Sequence, residues 1–203
     1  MMETGPVLWL AGGWAAWCAV HSLLISRTFT DWLHRRLGEQ AAWFRLGYVL
    51  FSAATLLPLL VLTLTAPQQP LFAWPGPWRA VQAVLLGYSL LMFLGGARRY
   101  DLAYFTGLRQ IRALRQGKSV PAPEFRTGGI LRFVRHPWYS GGLALVWAAG
   151  PVTTVNLAVK LILSLYLVVG TLLEERKLVA VWGEAYRQYQ RRVPRLIPWR
   201  RPR

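Results

Sequence analysis

Residues 46–65 of this chain, LGYVLFSAATLLPLLVLTLT, carry no charged side chain over twenty positions. A helix of that length spans roughly 30 Å, the thickness of a bilayer's hydrocarbon core. Similar apolar runs cover residues 7–25, 80–97 and 157–173, and a shorter one runs from near 139 to 150 or 151. In hydrocarbon a segment must satisfy its own backbone, so each run reads as a helix. The expected fold class is therefore all-α, a polytopic membrane helical bundle of about five transmembrane helices. Runs four and five are separated only by PVTTVN. They read as a C-terminal helical hairpin, with Pro151 unable to continue a helix and Asn156 as the cap of the next. The chain reads as one domain, 1–203, with three N-terminal spans in 1–97 and the functional part in 98–203.

The charge lies between the apolar runs. There are 24 Lys and Arg against 8 Asp and Glu, a formal net charge of +16, in a chain that is 54% apolar with 11 tryptophans. A basic nucleic-acid binder spreads its charge over a polar surface. Here the partners expected are membrane lipids and not nucleic acid. The loop 27–45 holds four basic residues, the segment 98–135 nine and the tail 176–203 nine. The positive-inside rule places all three on one face if the N-terminus is outside and the C-terminus cytoplasmic, as in a bacterial inner membrane. A fourth run that only dips into the membrane would leave the same loops inside. The leading MMETGP lacks the positive region of a cleavable signal, so the first run reads as a retained span. A monomer is the default. Cys18 allows no intramolecular disulfide and reads as packing in span one, as do Trp9, Trp14, Trp17 and Trp43, which also suit interface anchoring.

Between spans three and four, DLAYFTGLRQIRALRQG places Leu102, Phe105, Leu108, Ile111 and Leu114 at helical spacing among arginines. It reads as an amphipathic interfacial helix, followed by the loop KSVPAPEFRTGG. The stretch EERKLVAVWGEAYRQYQRRV reads as a helix leaving the membrane.

Polar groups near the membrane are costly unless paired or functional. His21 in span one suits a hydrogen bond between helices, and Asp101 a pairing with Arg98 or Arg99. His34 reads as surface. Glu174 and Glu175 end span five beside Arg176 and Lys177. The stretch RHPWYSGG, residues 135–142, is the most informative. Pro137 fits the first turn of a helix, where a missing N–H costs nothing. Span four then opens there, with its positive dipole end beside Arg135 and His136. Gly141 and Gly142 permit close approach. With Glu174 as an acceptor, this describes a cytoplasmic pocket for a small polar ligand with acidic and basic ends, which the residues alone do not identify. No metal is expected.

GGILRFVRHPWYSG, followed by EERKLVAVWGEAYRQYQRRVPRLIPW, resembles the isoprenylcysteine carboxyl methyltransferase superfamily. The pattern R-H-P-x-Y-x-G falls on Arg135–Gly141, E-E-x-x-L on Glu174–Leu178, G-x-x-Y-x-x-Y on Gly183–Tyr189 and P-x-x-x-P on Pro194–Pro198. HSLLIS and YDLAYFTGLRQI resemble the NnrU-like branch, which includes bacterial methanethiol S-methyltransferases. The resemblance implies S-adenosyl-L-methionine as cofactor, lined by Thr127, Leu131, Arg135, His136, Pro137, Trp138, Tyr139 and Glu174, with Glu175 behind Glu174. It implies methyl transfer to a small thiol such as methanethiol. Prenylcysteine-methylating members place an arginine one turn before the glutamates; this chain has Gly170, which argues against a carboxylate acceptor. A thiol must lose its proton to react, and His21 and His136 are the two candidate acceptors. The alternatives are an isoprenoid or lipid-type carboxylate or amine as acceptor, or a non-enzymatic NnrU-like accessory protein.

Overall fold

The computed structural model describes residues 4–120 and 124–199. The start of the leading segment, three residues of the loop after Lys118 and the last arginines of the basic tail lie outside the described residues. Among the described residues eight α-helices follow one another: α1 Thr4–Leu24, α2 Arg27–Leu37, α3 Phe44–Thr65, α4 Trp78–Ala97, α5 Leu102–Thr106, α6 Leu108–Arg115, α7 Pro137–Ala148 and α8 Thr154–Arg192. Two short strands, β1 Pro70–Phe72 and β2 Val152–Thr153, pair antiparallel. The all-α expectation holds. Among the described residues four helices are long and apolar enough to cross a membrane. The fourth of the five expected spans is α7, and it has only 12 residues. At about 18 Å it is too short to cross a core of about 30 Å.

The chain forms two compact units, Met1–Pro67 with Asp101–Pro123, and Gln68–Tyr100 with Glu124–Arg203. In the first, α1 and α3 are joined by side-chain hydrogen bonds. Trp14 Nε1 donates to Thr63 Oγ1 at 2.9 Å, and Trp17 Nε1 to Thr55 Oγ1 at 3.0 Å. Trp14 and Cys18 are buried, while Trp9 is exposed. The loop 27–45 contains a helix that hydropathy does not reveal. Ser26 caps α2 by accepting from Phe29 N. The expected single amphipathic helix is two, because Gly107 at φ +89° separates α5 from α6. An added Cβ there would lie 2.7 Å from Leu46 N, so the break is also a close crossing. Asp101 pairs with neither Arg98 nor Arg99. It caps α5 through Tyr104 N at 2.9 Å and meets Arg109 at 2.7 Å, because the break at Gly107 turns α6 back toward it.

In the second unit α7 packs between α4 and α8. The cap of α8 is Thr153, not Asn156. Thr153 Oγ1 accepts from Asn156 N, and Asn156 Oδ1 accepts from Thr153 N, a reciprocal capping box. The carbonyl end of α7 is covered by side-chain donors. Lys160 Nζ donates to Val146, Trp147 and Ala149, Gln82 Nε2 to Ala148, Trp74 Nε1 to Gly150 and Asn156 Nδ2 to Pro151. Helix ends leave carbonyls without intrahelical partners, and apolar surroundings offer no water to replace them. This set of donors is what lets a short helix stop inside an apolar unit. Replacing Lys160 by methionine removes one donor from three carbonyls. It is expected to cost about 3 kcal/mol, read as a lower unfolding midpoint in detergent.

Candidate active site

The N-terminus of α7 begins at Pro137, in the first helical position, with His136 as its N-cap. The residues before it are bound to the C-terminal segment. Arg135 N donates to Pro194 O at 3.0 Å and His136 N to Arg195 O at 3.2 Å. Ser140 Oγ donates to Leu196 O at 2.5 Å, and the Tyr88 hydroxyl lies 2.5 Å from Ser140 Oγ. Residues 193–196 therefore form a strap across the entrance of α7. The P-x-x-x-P motif supplies it, since proline lacks an N–H and favours extended backbone.

Glu175 is the hub that anchors this strap. Its side chain is 5% exposed and meets Arg135 Nη2 at 2.6 Å. Oε1 accepts from Arg135 Nε at 2.6 Å and lies 3.2 Å from His136 Nε2. Oε2 accepts from Gln190 Nε2 at 3.0 Å and Arg195 Nε at 3.2 Å. Glu175 lies past the last apolar residue of span five. Burial alone would raise its pKa; the hydrogen bonds from His136 and Arg135, and the charge of Arg135, reverse this and hold it at about 2. Arg135 also donates to the carbonyls of Gln190 and Val193. Its guanidinium is directed at the strap.

Glu174 differs from its neighbour. Its side chain is 41% exposed, and Oε2 lies 3.8 Å from His136 Nδ1. Burial and the neighbouring Glu174 carboxylate raise the Tyr139 pKa. Tyr139 meets His136 edge-on, with centroids 5.6 Å apart. His136 is 2% exposed and stands between the two glutamates. A carboxylate only accepts, so His136 Nε2 carries the proton toward Glu175. In the neutral ring Nδ1 then presents its lone pair on the Glu174 side.

The remaining sequence-derived residues fall around this cluster. Pro137 is buried at the start of α7. Trp138 Nε1 donates to Phe93 O at 3.0 Å, and its ring lies edge-on to Tyr100 at 4.8 Å. Burial and the nearby Glu174 carboxylate raise the Tyr100 pKa. Leu131 is buried, and its carbonyl accepts from the Tyr189 hydroxyl at 2.6 Å. Thr127 is exposed in the preceding loop. His21 lies in the other unit, with Nδ1 3.0 Å from Ser52 Oγ and its ring stacked on Trp17 at 4.6 Å.

Sequence reasoning placed Glu175 behind Glu174 without its role as hub, and it missed Tyr186, in the G-x-x-Y-x-x-Y motif. Its side chain is 2% exposed, and among the described residues its hydroxyl has no hydrogen-bond partner. It lies close to both glutamates electrostatically. The only prior signal was its place in the motif. The site thus combines an accessible carboxylate, an imidazole lone pair, a helix N-terminus, aromatic edges and an unsatisfied hydroxyl. That set can bind a zwitterion and accept a proton beside it.

The family model described as "NnrU protein" matches residues 9–196. Methanethiol S-methyltransferase 1 of Bradyrhizobium diazoefficiens is 34% identical over 191 residues, covering 92% of this chain and 65% of that protein. Methanethiol S-methyltransferase of Pseudomonas deceptionensis is 34% identical over 188 residues, covering 88% and 67%. The enzyme of that name from Mycobacterium tuberculosis is 27% identical over 188 residues, covering 88% and 72%. The chain therefore spans about two thirds of the length of these curated relatives. No solved structure matches it.

Proposed function

The chain belongs to the NnrU protein family, and from that premise we propose that it is an integral membrane methyltransferase that uses S-adenosyl-L-methionine to methylate methanethiol. The relatives' names support the reaction and the acceptor. The observation that carries the reading is the cluster of Glu174, His136 and Tyr139 at the α7 N-terminus.

The residues present fit the cofactor. The first-turn amides of α7 suit its carboxylate. Glu174 suits its amine or ribose hydroxyls, and the unpartnered Tyr186 hydroxyl offers a further donor. The cofactor supplies a methyl group already activated by a sulfonium. The protein's work is to position, to exclude water and to move a proton. His136 Nδ1 accepts the thiol proton, and Glu174 and Glu175 stabilise the imidazolium that results. Arg135 acts behind the site, holding Glu175 and the strap in place. His21, with its Ser52 and Trp17 contacts, joins α1 to α3. The basic loops support an N-terminus outside and a C-terminus in the cytoplasm. The neutral, apolar product can leave through the bilayer.

The test is transfer of isotope-labelled methyl from S-adenosyl-L-methionine to methanethiol by the purified protein, with labelled dimethyl sulfide read by mass spectrometry. His136→Gln is expected to slow turnover by about 10²–10⁴-fold, the usual contribution of a positioned base. An unlabelled product pool with folded wild-type protein would reject the reading.

A further inference from the structure

We propose that Tyr139, seated on the bare backbone of Gly170, is the specificity-determining wall of the methyl-acceptor site and restricts it to thiols of one or two carbons. This rests on the methyltransferase reading and names its substrate class more narrowly.

A Cβ added to Gly170 would lie 3.0 Å from Tyr139 Cε1, 3.7 Å from its hydroxyl and 3.8 Å from Cζ. The edge of the ring therefore rests directly on the α8 backbone. Gly170 and Glu174 are four residues apart and share one face of that helix. The Tyr139 ring rests on Gly170 and also meets His136 edge-on, and the Glu174 carboxylate acts on its phenol electrostatically. One turn further along α7 the two helices close up. A Cβ on Gly142 would meet Leu167 Cδ1 at 3.4 Å, an ordinary packing distance. The apolar surface between Gly170 of α8 and His136 is thus one aromatic ring.

The acceptor sulfur has to come beside His136 and Glu174. Its S–H proton goes to His136 Nδ1. The thiolate sulfur then bonds the methyl carbon of S-adenosyl-L-methionine as that carbon's bond to the sulfonium breaks. The electron pair stays on the donor sulfur, which becomes a neutral thioether. Only the carbon chain behind the acceptor sulfur must fit against the Tyr139 ring. Nothing at 170–172 can hold an anion on an acceptor, since Gly170 has no side chain, Thr171 is wholly buried and Leu172 is apolar.

The experiment measures kcat/KM for methanethiol and propanethiol, and calorimetric affinity for S-adenosyl-L-methionine, in wild type, Tyr139→Ala, Tyr139→Phe and Gly170→Ala. Wild type is expected to prefer methanethiol by about tenfold or more, the usual discrimination for added methylenes in a tight apolar pocket. Tyr139→Ala should bring the ratio toward one by raising propanethiol turnover. Tyr139→Phe keeps the ring, so the ratio should hold. Gly170→Ala pushes the ring off the α8 backbone toward the acceptor's place and should raise the ratio. Opposite shifts in the two alanine variants cannot come from destabilisation. An unchanged ratio in both alanine variants that still bind cofactor would overturn the proposal, as would a wild type that uses both thiols equally. A wild type that methylates no thiol at all would instead remove the methyltransferase reading beneath it.

Discussion

Glu175→Ala is expected to lower the unfolding free energy by about 3–5 kcal/mol, the range for removing one partner of a buried ion pair. The loss has two parts. Arg135, 9% exposed, is left without its counter-charge. Gln190 and Arg195 lose the acceptor that ties the strap to α8. Glu175→Gln keeps the shape and should cost less, while the double replacement Arg135→Met with Glu175→Met should recover part of the loss, since no unpaired charge remains. The same carboxylate sets an acid limit. Its pKa is held near 2, below the ordinary value of about 4.3. A depressed carboxyl contributes stability that is fully present above the unfolded value. That contribution is lost as pH falls through the folded one. Unfolding in detergent should therefore show no Glu175-dependent change above about pH 5 and a growing one from about pH 4 down to pH 2. In Glu175→Ala this acid dependence should shrink.

Glu174→Gln is expected to leave stability near wild type and to weaken binding of S-adenosyl-L-methionine by about 10–100-fold. The adjacent carboxylates differ in exposure, 41% against 5%, and so in consequence. Glu174 is free to accept charge-assisted hydrogen bonds from a ligand, and such bonds are worth about 1.5–3 kcal/mol. The amide can accept, but it carries no charge to oppose an amine. A variant that unfolded instead would place Glu174 with Glu175 as a structural group.

The apolar runs made α1, α3, α4 and α8 legible, because a membrane helix satisfies its backbone locally and so announces itself in composition. Pro137 located the start of α7 for a similarly local reason. What escaped were features decided by long-range contact. The short α7 depends on Lys160, Gln82 and Trp74 to close its carbonyl end, and none of these is near it in a hydropathy plot. Asp101 finds Arg109 only because Gly107 breaks the helix between them. α2 is polar and was concealed by its charge. At the site, the R-H-P-x-Y-x-G and E-E motifs named the residues that cluster. They did not reveal that Arg135 is directed at Glu175 and the strap, because which way a guanidinium turns is set by the segment folded over it. Gly170 was read for the arginine it replaces; that Tyr139 fills its place is visible only in three dimensions.

The most direct measurement is calorimetric titration of S-adenosyl-L-methionine into the full chain in detergent or nanodiscs, with Glu174→Gln and S-adenosylhomocysteine alongside. Saturable one-site binding that Glu174→Gln weakens by about 10–100-fold, in a variant with an unchanged unfolding midpoint, is the result predicted by a charge-assisted site. Absence of binding to the folded protein, or equal affinity in the variant, would contradict the assignment of this cluster as the methyl-donor site.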